Sequence, residues 1–294
     1  KASDVISVED KIVPIYRAVA GLKTAIVRKV LKELRPFMTM LPETLPESIV
    51  RTEKLVSYSD ALLGMHFPST HEEVQRAKER LAFEELFQLL LASQLNKQEN
   101  AQLEGWHIPF NKKIVQDFVA ALPFILTNAQ RRAAWDILQD FEHATPMNRL
   151  LQGDVGSGKT VVAGLAARQA AHEGYQTAVM APTEILASQH AETLTKLLTP
   201  FGVRVGLLTG GVKGATRTLL YKAIEDGEVD VVVGTHALLQ SNVIFHKLGF
   251  VVIDEQHRFG VAQRQELLKK SQKMPHLLAM TATPIPRSLA LTVY

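Results

Sequence analysis

The chain has 294 residues, 46% of them hydrophobic and 21% charged, with a net charge of +3, the balance of a globular protein with material for a sizeable core. Its mildly basic balance suits nucleic acid without demanding it, and the lack of cysteine excludes disulfides and thiolate metal sites. No apolar run approaches the roughly eighteen residues that span a membrane, and the polar stretch 1–10 is no signal peptide, so a cytoplasmic location is expected.

Starting at Lys1 rather than Met, the chain reads as a fragment. Residues 11–16 suit a strand with Pro14 at its edge. Residues 25–34 have helical spacing: Ile26, Val27, Val30, Leu31 and Leu34 share a face, and Arg35-Pro36 should end the helix. The basic residues Lys23, Arg28, Lys29, Lys32 and Arg35 read as a solvated face, with contact to DNA phosphates as the alternative. Pro42 and Pro46 mark a loop, and 59–65 a short helix closed by His66-Phe67-Pro68. Thr70-His71-Glu72-Glu73 is a capping box. From Val74 the apolar residues Leu81, Phe83, Leu86, Phe87, Leu90 and Leu95 recur at helical spacing, which predicts one long helix to about Leu103, stopped at Gly105. Such a length more often serves as a strut between domains.

From about Ala121 the pattern changes to short apolar runs alternating with amphipathic stretches, the signature of βαβ units and a parallel sheet. The runs are 150–151, 177–180, 203–208, 229–233, 250–253 and 277–280. The expected organisation is short helices over 1–50, a helical linker with the long helix over 51–120, and an α/β domain over 121–294.

Within the last segment, Gly153-Asp154-Val155-Gly156-Ser157-Gly158-Lys159-Thr160 fits the phosphate-loop pattern G-x-x-x-x-G-K-[ST]. Glycines let the backbone curl until successive N–H groups cradle phosphate oxygens. A helix starting at Gly158 or Lys159 adds its positive end to that cradle. Lys159 would reach the β- and γ-phosphates, and the Thr160 hydroxyl would sit on Mg²⁺. The flanks suit the motif: a short strand over 147–152 before it, and a small-residue helix over 160–172 after it, stopped by Gly174.

In parallel sheets ligands lie at the carboxyl ends of strands, so the residues after each run carry the chemistry. After 251–253 comes Asp254-Glu255-Gln256-His257. Asp254 would hold the magnesium through water, and Glu255 would orient and deprotonate the attacking water. His257 reads as a coupling residue, and an acidic helix cap is the bland alternative for the whole stretch. After 277–280, Thr281 and Thr283 flank Ala282 and offer two hydroxyls for a relay. The loops at Pro182-Thr183 and at Thr235-His236 can offer backbone N–H groups to a nucleic-acid phosphate. Gly210-Gly211 is either a DNA-facing turn or merely a turn. Gln130, in a helix capped by Thr127 or Asn128, can present its amide to adenine.

Taken together, the stretch from Gln130 to Pro284 resembles superfamily 2 helicases. Residues 150–160, 254–261 and 280–287 look like those of the RecG family of branched-DNA helicases, and Phe67-Pro68, the long helix and Leu122-Pro123-Phe124 are similar to the segment before its helicase core. The transcription-repair coupling factors share the Gly-Asp-Val-Gly opening and Thr-Ala-Thr-Pro-Ile-Pro but fit Asp254-Glu255-Gln256-His257 less well. The resemblance implies a RecA-like first helicase domain using ATP and Mg²⁺, branched or duplex DNA as partner, and roles in fork regression and Holliday-junction processing. It also implies that 1–50 holds the last part of an OB-type wedge domain. The rest of the wedge, and a second RecA-like domain with its arginine fingers, would lie outside the chain. Because such a finger typically supplies about 10³–10⁵ in rate, the chain alone is expected to bind ATP, to hydrolyse it poorly and not to unwind DNA. A coupling-factor-like duplex translocase and a non-catalytic nucleotide-binding module stand as alternatives.

Overall fold

The computed structural model describes residues 12, 14–16, 24–255 and 258–282. The chain divides into two compact units, Lys1–Ala92 and Ser93–Tyr294. Of the segment 1–50 expected to hold a wedge remnant, residues 1–11, 13 and 17–23 lie outside the described set, as do His257 and Thr283.

In the first unit, helices α1 (Thr24–Met38), α2 (Glu47–Thr52) and α3 (Tyr58–His66) precede the start of the long helix α4 (His71–Ala101). Residues 14–16 are not strand. The Pro14 carbonyl accepts from the Arg28 guanidinium instead, and the Tyr16 hydroxyl bonds to His66 Nδ1 at 2.9 Å. Pro36 does not end α1, which runs on to Met38. A proline removes only one bond of the ladder. Burial of Met38 and the Arg35 guanidinium over the Phe67 ring hold the last turn. The apolar stripe of α1 is only partly covered: Ile26, Val30 and Leu34 stay exposed. At the head of α4 the Thr70 hydroxyl accepts the Glu73 N–H at 3.1 Å, while the Glu73 carboxylate turns back to the Ser69 N–H, one residue earlier than a standard capping box. Arg80 is fully buried and bonds to Glu43, Glu84 and Thr44. Burial pushes the Glu43 carboxyl up, but the N–H groups of Leu45 and Tyr58 and the Arg80 guanidinium outweigh it and hold it below the usual range.

The second unit contains α5 (Lys112–Ala120), α6 (Asn128–Phe141), β1 (Asn148–Gln152), α7 (Lys159–His172), β2 (Gln176–Met180), α8 (Glu184–Leu198), β3 (Val205–Leu208), α9 (Gly214–Glu225), β4 (Val231–Gly234), β5 (Leu248–Asp254), α10 (Val261–Leu268) and β6 (His276–Thr281). Each apolar run of the sequence becomes a strand. They form one parallel sheet in the order β1-β6-β5-β2-β4-β3. Both faces are covered, so the strands read as continuous apolar runs rather than alternating ones. Along β5, Phe250 and Val252 face the core under α5 to α8, with Phe118, Phe141, Leu165 and Leu194. Val251 and Ile253 face the opposite core, with Ile224, Leu238, Phe245 and Leu267. Helix α7 is buried from Val161 to Ala170, which explains its run of small residues.

His276 opens β6 and is fully buried. Its Nδ1 accepts the Met147 N–H at 3.0 Å, so Nε2 carries the proton and donates it to the Trp106 carbonyl. Burial pushes the imidazole down to about 4, against the Trp106 carbonyl, which favours the proton. Between that value and the ordinary 6.5 the unfolded chain binds the extra proton, so stability rises with pH across this window. His276 is therefore expected to remove up to about 3 kcal/mol of unfolding free energy as pH falls from 7 to 4. Urea denaturation of the wild type and His276→Gln checks this: the variant should lose stability less steeply over that range.

Candidate functional site

All six strands run the same way, so their carboxyl ends open on one edge of the sheet. The loop 153–158 follows β1, Ala282 follows β6 and Glu255 follows β5, and these three strands are neighbours. Pro182-Thr183 follows β2, Thr235-His236 follows β4 and Thr209-Gly210-Gly211 follows β3, and these three are neighbours in the other half. The edge is thus divided between the phosphate-loop residues and the candidate nucleic-acid residues.

The loop 153–158 is closed by short backbone bonds, Ser157 N–H to the Asp154 carbonyl at 3.1 Å and Gly153 N–H to the Thr281 carbonyl at 3.2 Å. Gly158 caps α7 in the left-handed region at φ +83°, and Lys159 is the first helical residue. A Cβ at Gly158 would lie 2.5 Å from the movable tip of the Gln130 side chain, so the left-handed backbone is what requires glycine there. Lys159 Nζ donates to the carbonyls of Gly153 at 2.6 Å and Asp154 at 3.0 Å. Val155 stands out from the loop at 90% exposure. Gln130 has both ends of its amide engaged. Its Oε1 accepts the Thr127 N–H at 2.8 Å in the capping box of α6, and its Nε2 donates to the Ser157 carbonyl at 2.8 Å. The residue ties the start of α6 to the loop.

Across a cleft of about 370 Å³ lie Asp254 and Glu255. Asp254 ends β5 and is buried. Its Oδ2 accepts from His190 Nε2 at 2.8 Å, and His190 Nδ1 faces the Thr160 hydroxyl at 3.4 Å. His190 is not among the candidates the sequence offers. The available signal is its place on α8, where a polar ring sits four residues from both Leu186 and Leu194 on the inward side of the helix. Glu255 has φ +49°, a left-handed conformation that is costly for a side-chain-bearing residue. The bend turns its carboxylate onto β6, where it accepts from the Thr281 hydroxyl at 3.2 Å and the Ala282 N–H at 3.1 Å.

In the other half, Thr183 is exposed and its hydroxyl caps α8 by accepting the Leu186 N–H at 3.3 Å. Gly210 and Gly211 are exposed, and the Glu184 carboxylate lies over Gly210, 2.8 Å from where a Cβ would stand. Thr235 is buried, whereas His236 is exposed with its ring edge-on to Phe259.

Gly158→Ala is expected to cost about 1–3 kcal/mol through the left-handed strain alone. Adding Gln130→Ala should remove the clash without restoring stability, and thermal melts of the single and double variants check this.

Residues 127–292 match the DEAD/DEAH box helicase family. The chain is 47% identical to the ATP-dependent DNA helicase RecG of Thermotoga maritima, covering 97% of this chain and 36% of that protein. It is 46% identical to RecG of Bacillus subtilis, over 97% of this chain and 42% of that one. A solved structure of RecG bound to a three-way DNA junction is 45% identical and superposes with a TM-score of 0.78, covering 97% of this chain and 38% of that chain. The chain therefore spans about two fifths of the length of these relatives. The parallel six-stranded sheet with helices on both faces is the RecA-like helicase fold. By these matches the chain belongs to the DEAD/DEAH box helicase family.

Proposed function

We propose that the chain is the nucleotide-binding RecA-like lobe of an ATP-dependent DNA helicase that acts on branched DNA in recombination and repair. The observation that carries this reading is the divided sheet edge, with the phosphate loop, Asp254 and Glu255 in one half and three candidate loops in the other. Similarity to RecG proteins at 45–47% identity, including one bound to a three-way junction, supports the class of substrate.

In this reading the N–H groups of 153–158 and Lys159 bind the phosphates of ATP. Lys159 exchanges the carbonyls of Gly153 and Asp154 for anionic oxygens, which form stronger charge-assisted bonds. Gln130 holds the loop against α6 and presents the adenine side of the site. Thr160 and Asp254 are hard oxygen donors and fit Mg²⁺, which keeps several waters and takes few protein ligands. When bound, the ion neutralises charge on the β- and γ-phosphates. Glu255 orients the attacking water and takes its proton, and Thr281, with Thr283 beyond it, couples that carboxylate to β6. His257 serves the same coupling. The loops at Pro182-Thr183, Gly210-Gly211 and Thr235-His236 hold DNA through backbone groups. A second RecA-like lobe and a wedge would convert closure of the cleft into fork regression and junction processing.

Calorimetry with ATP and Mg²⁺ should show binding that weakens at least about 10-fold in Lys159→Ala, the loss of one charged phosphate contact. Equal binding by the variant would overturn the phosphate-loop assignment. In the intact protein, with its second lobe, Glu255→Gln should lower ATP turnover, measured with three-way junction DNA, by about 10²-fold or more while nucleotide binding persists. Surviving turnover would remove Glu255 from the role of base.

A further inference from the structure

The interaction between His190 and the two oxygen donors has no counterpart in the roles assigned above. Asp254 offers only acceptor oxygens to the imidazole, so the short 2.8 Å contact places the ring proton on Nε2. Nδ1 is then a lone pair, and it faces the Thr160 hydroxyl at 3.4 Å. A threonine hydroxyl that donates its own proton backward leaves its oxygen lone pairs free to turn toward the cleft. The imidazole therefore fixes two donors at once, the rotation of the Asp254 carboxylate and the direction of the Thr160 hydroxyl. The ring is carried by a helix rather than a loop, and α8 is anchored by the buried Ala187, Ala191, Leu194 and Leu198. The side chains of His190 and Asp254 are only 13% and 11% exposed, so little water competes for their bond.

We propose that His190 is a positioning residue for the divalent cation, aligning Thr160 and Asp254 so that both oxygens serve one ion. This rests on the reading of 153–160 as a phosphate loop. Groups that orient metal ligands typically contribute 10–100-fold to metal affinity, although they never touch the ion. The effect should fall on the cation and not on the nucleotide itself.

Two measurements separate the proposal from the reading beneath it. The first is calorimetric affinity for ADP in the presence of EDTA, for the wild type, Lys159→Ala, His190→Ala and His190→Gln. The second is the affinity of the ADP-saturated proteins for Mn²⁺, followed by electron paramagnetic resonance. His190→Ala should bind ADP in EDTA like the wild type and bind Mn²⁺ about 10-fold more weakly. His190→Gln, whose amide can still donate to Asp254, should recover most of the Mn²⁺ affinity and also guards against a folding defect in the alanine variant. Unchanged Mn²⁺ affinity in His190→Ala overturns the proposal, and so does an equal loss of ADP affinity in EDTA, which would mark a structural role. If Lys159→Ala leaves ADP binding intact, the phosphate-loop reading fails and takes the proposal with it.

Discussion

A parallel sheet delivers the carboxyl ends of all its strands to one edge, and everything functional in this molecule depends on that constraint. The β-branched run Val231-Val232-Val233 and the strand Leu248–Asp254 are buried on both faces, which only crossover helices on both sides can achieve. Those same crossovers fix the strand direction. The strand order then decides which loops become neighbours: β1, β6 and β5 bring the phosphate loop, Ala282 and Glu255 together, while β2, β4 and β3 gather the other three loops. Helix α8 serves both halves directly. Its cap, Thr183, belongs to the loop after β2, and two turns later His190 reaches Asp254 at the end of β5.

Much of this was legible in the sequence because the signals are local. Strands buried on both faces appear as continuous apolar runs, and all six matched strands of the sheet. The phosphate loop is a contiguous pattern whose glycines answer to backbone geometry, left-handed at Gly158 and close-packed at Gly153 against Ser157. His190 was not legible, because its meaning comes from the pairing of β2 with β5, and its partners Thr160 and Asp254 lie 30 and 64 residues away. The double engagement of Gln130 was hidden for the same reason, since its contact with Ser157 spans 27 residues.

The first unit shows where local signals mislead. Arg35-Pro36 reads as a helix end, yet burial of Met38 outweighs one missing backbone bond. Of the buried ion cluster, the i,i+4 pair Arg80–Glu84 can be read from spacing, whereas Glu43, 37 residues away, cannot. Glu43 is what makes the burial of Arg80 tolerable. A guanidinium removed from water needs bonds to several acceptors, and removing one partner of such a buried set typically costs about 3–5 kcal/mol. The cluster is best understood as a device that fixes the loop containing Glu43 against the head of α4.

Glu255, the proposed base, also carries backbone strain. A left-handed conformation outside glycine costs on the order of 1–3 kcal/mol and persists only where its surroundings hold it. The restraints include the Glu255 N–H on the Met280 carbonyl, the carboxylate on Thr281 and Ala282 at the end of β6, and the Arg258 N–H on the Glu255 carbonyl. The orientation of the carboxylate is therefore set by β6 rather than by the strand that carries it. A shift at the end of β6 would loosen both carboxylate bonds together, and a shift in the phosphate loop would reach Glu255 through Gly153, whose N–H bonds to the Thr281 carbonyl. Thr281 stands at that junction, bonded through its carbonyl to the phosphate loop and through its hydroxyl to Glu255. A residue so placed links the state of the loop to the aim of the carboxylate with no intervening side chain, which is the physical content of calling it a coupling residue.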